Sequence, residues 1–219
     1  MRPAVGLGLL LAVAIGLALY MGHVTQGADR LSSEAQETPE TTPPKVTVPQ
    51  GDKAFEDVKE GAVRATLEVE NRGTMTLELY PKACPKTVAH VTELCRKNFY
   101  DGILFHRVVA DFVAQAGDPK SKDVKPEDIP TEEAATAKGL GSAGSGTNVP
   151  LEAKLPHITN SIGLARSSAP DSGDSQFYIN LKDNPDLDGK YCVFGRIVAG
   201  ADVAKQIKNG DRIKRFSVP

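Results

Sequence analysis

The sequence contains no tryptophan and only three cysteines and three methionines, and neither acid nor base dominates its charge. Each scarcity excludes a class of protein. Cys84, Cys95 and Cys192 show no C-x-x-C spacing, so a zinc site is not expected. With 26 Lys and Arg against 28 Asp and Glu, no basic field exists to hold nucleic acid by counterion release. No internal repeat of about 20–50 residues is visible, which excludes a solenoid. A G-x-S-x-G elbow is missing too, which removes that route to a serine hydrolase. The string GLGSAG at 139–144 fits G-x-G-x-x-G, but it follows no strand and opens no helix. It is better read as a loop that lets a substrate backbone approach closely.

Charged residues are absent from Pro3 to Ala28, an apolar run long enough for the roughly 20 residues that cross a bilayer. Residues 1–28 are therefore expected to form a retained membrane anchor, with a cleaved signal peptide as the alternative. Arg2 favours an N-in orientation and an extracytoplasmic remainder. Residues 29–61, rich in Pro, Thr, Glu and Ser, lack a sustained apolar period and are expected to be a flexible tether.

From residue 62 to 219 the texture is that of one folded domain. Twenty glycines and 15 prolines favour a turn-rich, sheet-containing fold over a helical bundle. Ala65, Leu67 and Val69 alternate with polar residues and are answered by Met75, Leu77 and Leu79 across ENRG, the pattern of a β-hairpin. The stretch CPKTVAHVTELCRKN follows, with Pro85 suited to a first helical turn and Val88, Val91 and Cys95 at helical spacing. Such a helix holds Cys84 and Cys95 roughly 16 Å apart, too far to bridge, and all three thiols are expected to be free. Strands are predicted in GILFHRVV, DFVAQAGD, SIGLAR, SQFYINL, YCVFGRIV and RIKRFSV, and a second helix in GADVAKQIKN. The fold class expected is mainly β, a closed eight-stranded antiparallel barrel capped by two α-helices.

One stretch resists that pattern. FHRVVADFVAQAGDP places Arg107 in an apolar run, where a guanidinium is costly unless it is paired or lines a cleft. Together with GLARSSAPDSGDSQFYIN and LDGKYCVFGRIVAG, in this order over about 155 residues, it resembles the signature blocks of the cyclophilins, peptidyl-prolyl cis/trans isomerases. The resemblance implies that Arg107 is catalytic, its guanidinium favouring a pyramidal prolyl nitrogen and weakening amide resonance, with Gln115 holding the fork. It further implies that Phe112, Val113, Tyr178 and Leu187 take the proline ring, that the Ala165–Arg166 edge pairs with the substrate chain, and that Gln176 and Tyr191 complete the wall. Val113 and Tyr178 stand where methionine and phenylalanine are usual, Ala116 replaces a glycine, Tyr191 a histidine, and Asp186 a tryptophan. The last change implies weak cyclosporin binding.

No cofactor or metal is required by that chemistry. The expected partners are proline-containing polypeptides and a membrane, with the chain itself monomeric and extracytoplasmic. The expected function is isomerisation of X-Pro bonds in folding extracytoplasmic proteins. A weakly catalytic or non-catalytic proline-peptide-binding module on the same fold is the alternative. His106, a strand neighbour of Arg107, should face the core; His90 and His157 are expected to be solvated.

Overall fold

The structure, a computed structural model, describes residues 48–219. The expected anchor or signal segment, 1–28, and residues 29–47 of the expected tether lie outside the described residues. Among the described residues no helix is long and apolar enough to cross a membrane.

The rest of the tether differs from expectation. Residues 53–56 form a short helix, α1 (Lys53–Glu56), whose Phe55 is fully buried and lies 5.6 Å from the ring of Tyr80. The Arg196 guanidinium sits 5.2 Å from the Phe55 ring, and its Nη2 donates to Glu56 Oε1 at 2.7 Å. Buried Phe55 and Ala54, with the Arg196–Glu56 bond, attach this polar-looking segment to the sheet.

The predicted hairpin comprises β1 (Val63–Val69) and β2 (Gly73–Leu79), in a register that sets Ala65 opposite Leu77 and Leu67 opposite Met75. All four are buried. Helix α2 (Pro85–Arg96) buries Val88, Val91, Leu94 and Cys95. Asn98 ends it in the left-handed region, φ 58 being taken by Asn71 of the hairpin turn and φ 53 by Asn98 itself. The chain continues through β3 (Arg107–Val109), β4 (Val113–Ala116), α3 (Glu132–Ala137), β5 (Ser161–Leu164), β6 (Phe177–Asn180), β7 (Cys192–Ala199), α4 (Ala201–Gln206) and β8 (Ile213–Ser217).

These eight strands form one sheet in the order β3-β4-β6-β5-β7-β2-β1-β8, antiparallel throughout. It is curled into an open half-barrel, not the closed barrel expected. The reason lies at the edges, β3 and β8. Residues 102–105, predicted as strand, meet 211–213 only through an isolated bridge between Leu104 and Arg212 and single backbone bonds such as Gly102 N to Ile213 O at 2.8 Å. The expected two-helix cap is also incomplete as a description, because α1 and α3 join α2 and α4. The few aromatics are concentrated in the core, where Phe177 lies 5.5 Å from both Tyr100 and Phe216.

Candidate active site

Register alone assembles the centre of the site. Arg107 on β3 lies opposite Gln115 on β4, Gln115 opposite Tyr178 on β6, and Tyr178 opposite Gly163 on β5. Directly opposed residues share a face, so this row crosses four strands on one side of the sheet. Gly163 has a steric role at its end: a Cβ there would overlap the Tyr178 ring. His106 and Phe177, one residue out of phase, are buried on the other side.

The predicted holder of Arg107 is a different residue. Arg107 Nε donates to Glu132 Oε1 at 2.6 Å, while Gln115 Nε2 donates to Gln176 Oε1 at 2.9 Å. Glu132 comes from the first turn of α3, a helix not among the elements predicted from the sequence. Thr131 Oγ1 caps that helix by accepting from Ala134 N at 3.2 Å, and T-E-E was the signal available for it. The ion pair is partly solvated, with side-chain exposures of 32% for Arg107 and 40% for Glu132. Arg107 also stacks its guanidinium 5.5 Å from the Phe112 ring centroid. Among the described residues neither Nη1 nor Nη2 has a hydrogen bond, so the four N–H donors of these two nitrogens remain available to a ligand.

Arg107, Gln115, Phe112, Val113 and Tyr178 converge on a cavity of about 240 Å³. Ala165, Arg166, Leu187 and Tyr191 complete its lining. Arg166 lies 4.7 Å from the Tyr191 ring, with its Nε donating to Lys190 O at 2.9 Å. Gln176 lines the neighbouring cavity instead, about 450 Å³, which shares Gln115, Ala165 and Arg166 with the first. Asp186, in the 3-10 turn Pro185–Leu187, is exposed and lines neither.

The second cavity is walled by the glycine-rich loop. Fully buried Asp118 organises that loop: its Oδ2 accepts from Gly141 N at 2.7 Å and from Ser142 N and Ala143 N, both at 3.1 Å. Gln176 Nε2 adds a bond to Ala143 O at 2.8 Å. Ala116 is accommodated because it is an ordinary buried strand residue, whereas Gly117, at φ +105, leaves no room for a Cβ beside Ser175 O. The loop itself, GLGSAG at 139–144, is the one expected to admit a substrate backbone; the role of Asp118 in holding it has no local signal in the sequence.

Two histidines also differ from expectation. His157, expected in solvent, is buried, with Nδ1 2.8 Å from Asp188 Oδ1 and Nε2 2.9 Å from the Tyr178 hydroxyl. His90 is buried against Asp174, its Nε2 3.3 Å from Oδ1. His106 faces the core as expected, and among the described residues neither ring nitrogen has a partner. Burial lowers the pKa of both His106 and His157, and it raises that of the Tyr178 phenol well above the usual value.

The three cysteines are free and buried. Cys84, Cys192 and Glu152 offer donor atoms within 4.8 Å of one another, a metal-like grouping. Its chemistry does not suit an ion. Glu152 Oε2 already accepts from Thr87 N and Thr87 Oγ1, both at 2.9 Å, and hydrogen bonding with Cys192 together with burial raises the Cys84 pKa.

A curled antiparallel sheet thus bears an arginine beside an apolar pocket, and comparison with known proteins makes this class of architecture specific. The family described as cyclophilin type peptidyl-prolyl cis-trans isomerase/CLD matches residues 64–218. The chain belongs to that family and is a peptidyl-prolyl cis-trans isomerase. A probable peptidyl-prolyl cis-trans isomerase of Brucella suis is 37% identical over 148 residues, 67% of this chain and 72% of that protein. Peptidyl-prolyl cis-trans isomerase B of Bacillus subtilis is 35% identical over 152 residues, 68% of this chain and 94% of that protein. Among solved structures, a cyclophilin type isomerase of Cryptosporidium parvum has the same fold, with a TM-score of 0.59 at 21% identity, covering 72% of this chain and 98% of that one. The same parasite protein was solved in the presence of the dipeptide Ala-Pro, with a TM-score of 0.58.

Proposed function

We propose that this isomerase acts on X-Pro bonds of proteins folding on the extracytoplasmic side of a membrane, held there by residues 1–28. The observation that carries the catalytic reading is the pairing of an unengaged guanidinium edge with an apolar cavity. Phe112, Val113, Tyr178 and Leu187 offer the proline ring a dry seat, and Arg107 lines the same cavity. Amide resonance sets a rotation barrier of roughly 18–20 kcal/mol. As the X-Pro bond twists, the prolyl nitrogen regains its lone pair, and an Arg107 N–H directed at it stabilises the twisted form more than the planar one. Glu132 positions the guanidinium through Nε and leaves the Nη groups for that contact. Ala165 and Arg166 supply the edge along which the substrate chain lies. No covalent intermediate or proton transfer is required.

The localisation is supported by the uncharged run at 3–28 and by Arg2 before it. Carbonate washing of membranes should leave the full-length chain in the pellet. A soluble form starting near residue 28 would instead identify a cleaved signal. The second reading, a binding module with weak catalysis, draws on the Arg107–Glu132 ion pair, which offsets part of the charge the reaction uses. Exchange NMR on an Ala-Ala-Pro-Phe tetrapeptide decides between them: catalysis predicts accelerated cis/trans exchange, while binding without acceleration favours the module.

A further inference from the structure

The mechanism above leaves His157 unused, although it touches both sides of the proline pocket. Its ring is buried, lies nearly parallel to the Tyr178 ring, with an angle of 14° between them, and reaches the Tyr178 hydroxyl through Nε2 at 2.9 Å. Its other nitrogen, Nδ1, is 2.8 Å from Asp188 Oδ1, and its backbone N donates to the same oxygen at 2.8 Å. The backbone carbonyl of His157 accepts from Asn184 N at 2.7 Å. Asn184 and Asp188 flank the 3-10 turn that carries Leu187, the wall of the pocket. Tyr178 is its floor.

We infer that His157 is a positioning residue that fixes the shape of the proline pocket, holding the Tyr178 floor through Nε2 and the Leu187 wall through Nδ1 and its backbone. The inference rests on the isomerase reading of that pocket.

The polarity of the chain is determined. A carboxylate only accepts, so Nδ1 carries the proton and donates to Asp188. Burial keeps the ring neutral, which leaves Nε2 as an acceptor for the Tyr178 O–H. The phenol is thereby directed away from the ligand, and the pocket meets only the apolar ring. This accounts for a tyrosine in an apolar floor: its hydroxyl has a buried acceptor, without which the group would be costly to bury. Gly163 underneath and Tyr191 edge-on, with ring centroids 6.3 Å apart, confine the same ring.

Two substitutions separate the ends of the histidine. His157→Asn keeps a donor near the Nδ1 position for Asp188 but loses the acceptor for Tyr178. His157→Gln can place a carbonyl near the Nε2 position and restore it. With the full-length protein and the Ala-Ala-Pro-Phe tetrapeptide, His157→Asn should raise KM, and Kd by NMR titration, about 3- to 10-fold, the loss of one buried hydrogen bond, while kcat changes less. His157→Gln should return Kd to within about twofold of wild type. Ring 15N shifts of the wild-type histidine should show the Nδ1–H tautomer. Equal Kd in all three proteins, or equal weakening by both substitutions in step with lost thermal stability, would overturn the inference. A wild-type protein that binds the peptide without accelerating exchange would instead overturn the isomerase reading, and the Kd comparison would still stand.

Discussion

The two cavities that meet at Gln115, Ala165 and Arg166 are built from different materials. The smaller is floored by Val113 and Tyr178 on paired strands, walled by Phe112, Leu187 and Tyr191 from the adjoining turns, and edged by the guanidinium groups of Arg107 and Arg166. Gly141, Ser142, Ala143 and Gly144 wall the larger, a loop held by buried Asp118. The difference teaches a division of labour. Strand register fixes positions to within a hydrogen bond, which transition-state stabilisation needs, whereas a loop held by backbone bonds fits a neighbouring substrate residue less strictly.

A matched pair of glycine substitutions is the strongest way to break that comparison. A Cβ at Gly163 would overlap the Tyr178 ring, and one at Gly144 would overlap the Asp174 carboxylate. Gly163→Ala should cost about 1–3 kcal/mol in urea unfolding through overpacking and lower exchange on the tetrapeptide more than about tenfold. Gly144→Ala should lower it by less than about fivefold, the cost of one displaced hydrogen bond. Equal losses would show that the two cavities work as one.

Acidification sharpens the comparison, because each cavity has a buried histidine behind it: His157 under Tyr178, and His106 against Gly141. Both have lowered pKa values in the folded state. Below the unfolded value near 6.5, the unfolded chain therefore binds more protons than the folded one. Stability should be fully present above about pH 7 and fall as the pH drops through and below about 6.5, by at most about 1.4 kcal/mol per pH unit for each histidine. Urea midpoints across that range test it, and a flat profile would mean the rings take up protons without unfolding. His157→Asn should remove roughly half of the slope.

The smallest effect is expected at the Arg107–Glu132 pair. Both partners are about a third exposed, so Glu132→Gln should change stability by less than about 1 kcal/mol. Exchange should fall by less than about tenfold, since a positioning contact is lost and the reacting donor stays. A loss as large as that for removing Arg107 would make Glu132 part of the chemistry.

Much of this organisation was legible in the sequence. The hairpin at 63–79 and helix α2 were readable because local periods of 2 and 3.6 reflect burial directly. All ten residues expected in the site line one or other of the two adjoining cavities. The missing part was long-range pairing. Whether β3 and β8 close the barrel depends on edges far apart in the chain, and bulges at Thr76/Leu77 and Ile162/Gly163 shift the registers between. Arg107 meets Glu132 and His157 meets Tyr178 across 25 and 21 residues, with no local period to announce either contact. Phe55 gives no sequence signal of burial because its flanks are polar.

The central claim is that Arg107 stabilises the twisted prolyl amide, and one sample tests it: full-length Arg107→Ala, measured for thermal stability and for tetrapeptide exchange. The account predicts a protein that melts close to wild type, because the lost ion pair is solvated, still binds the peptide, and exchanges it about 10²–10³-fold more slowly. A folded variant with undiminished exchange would contradict it, as would activity lost only in proportion to unfolding.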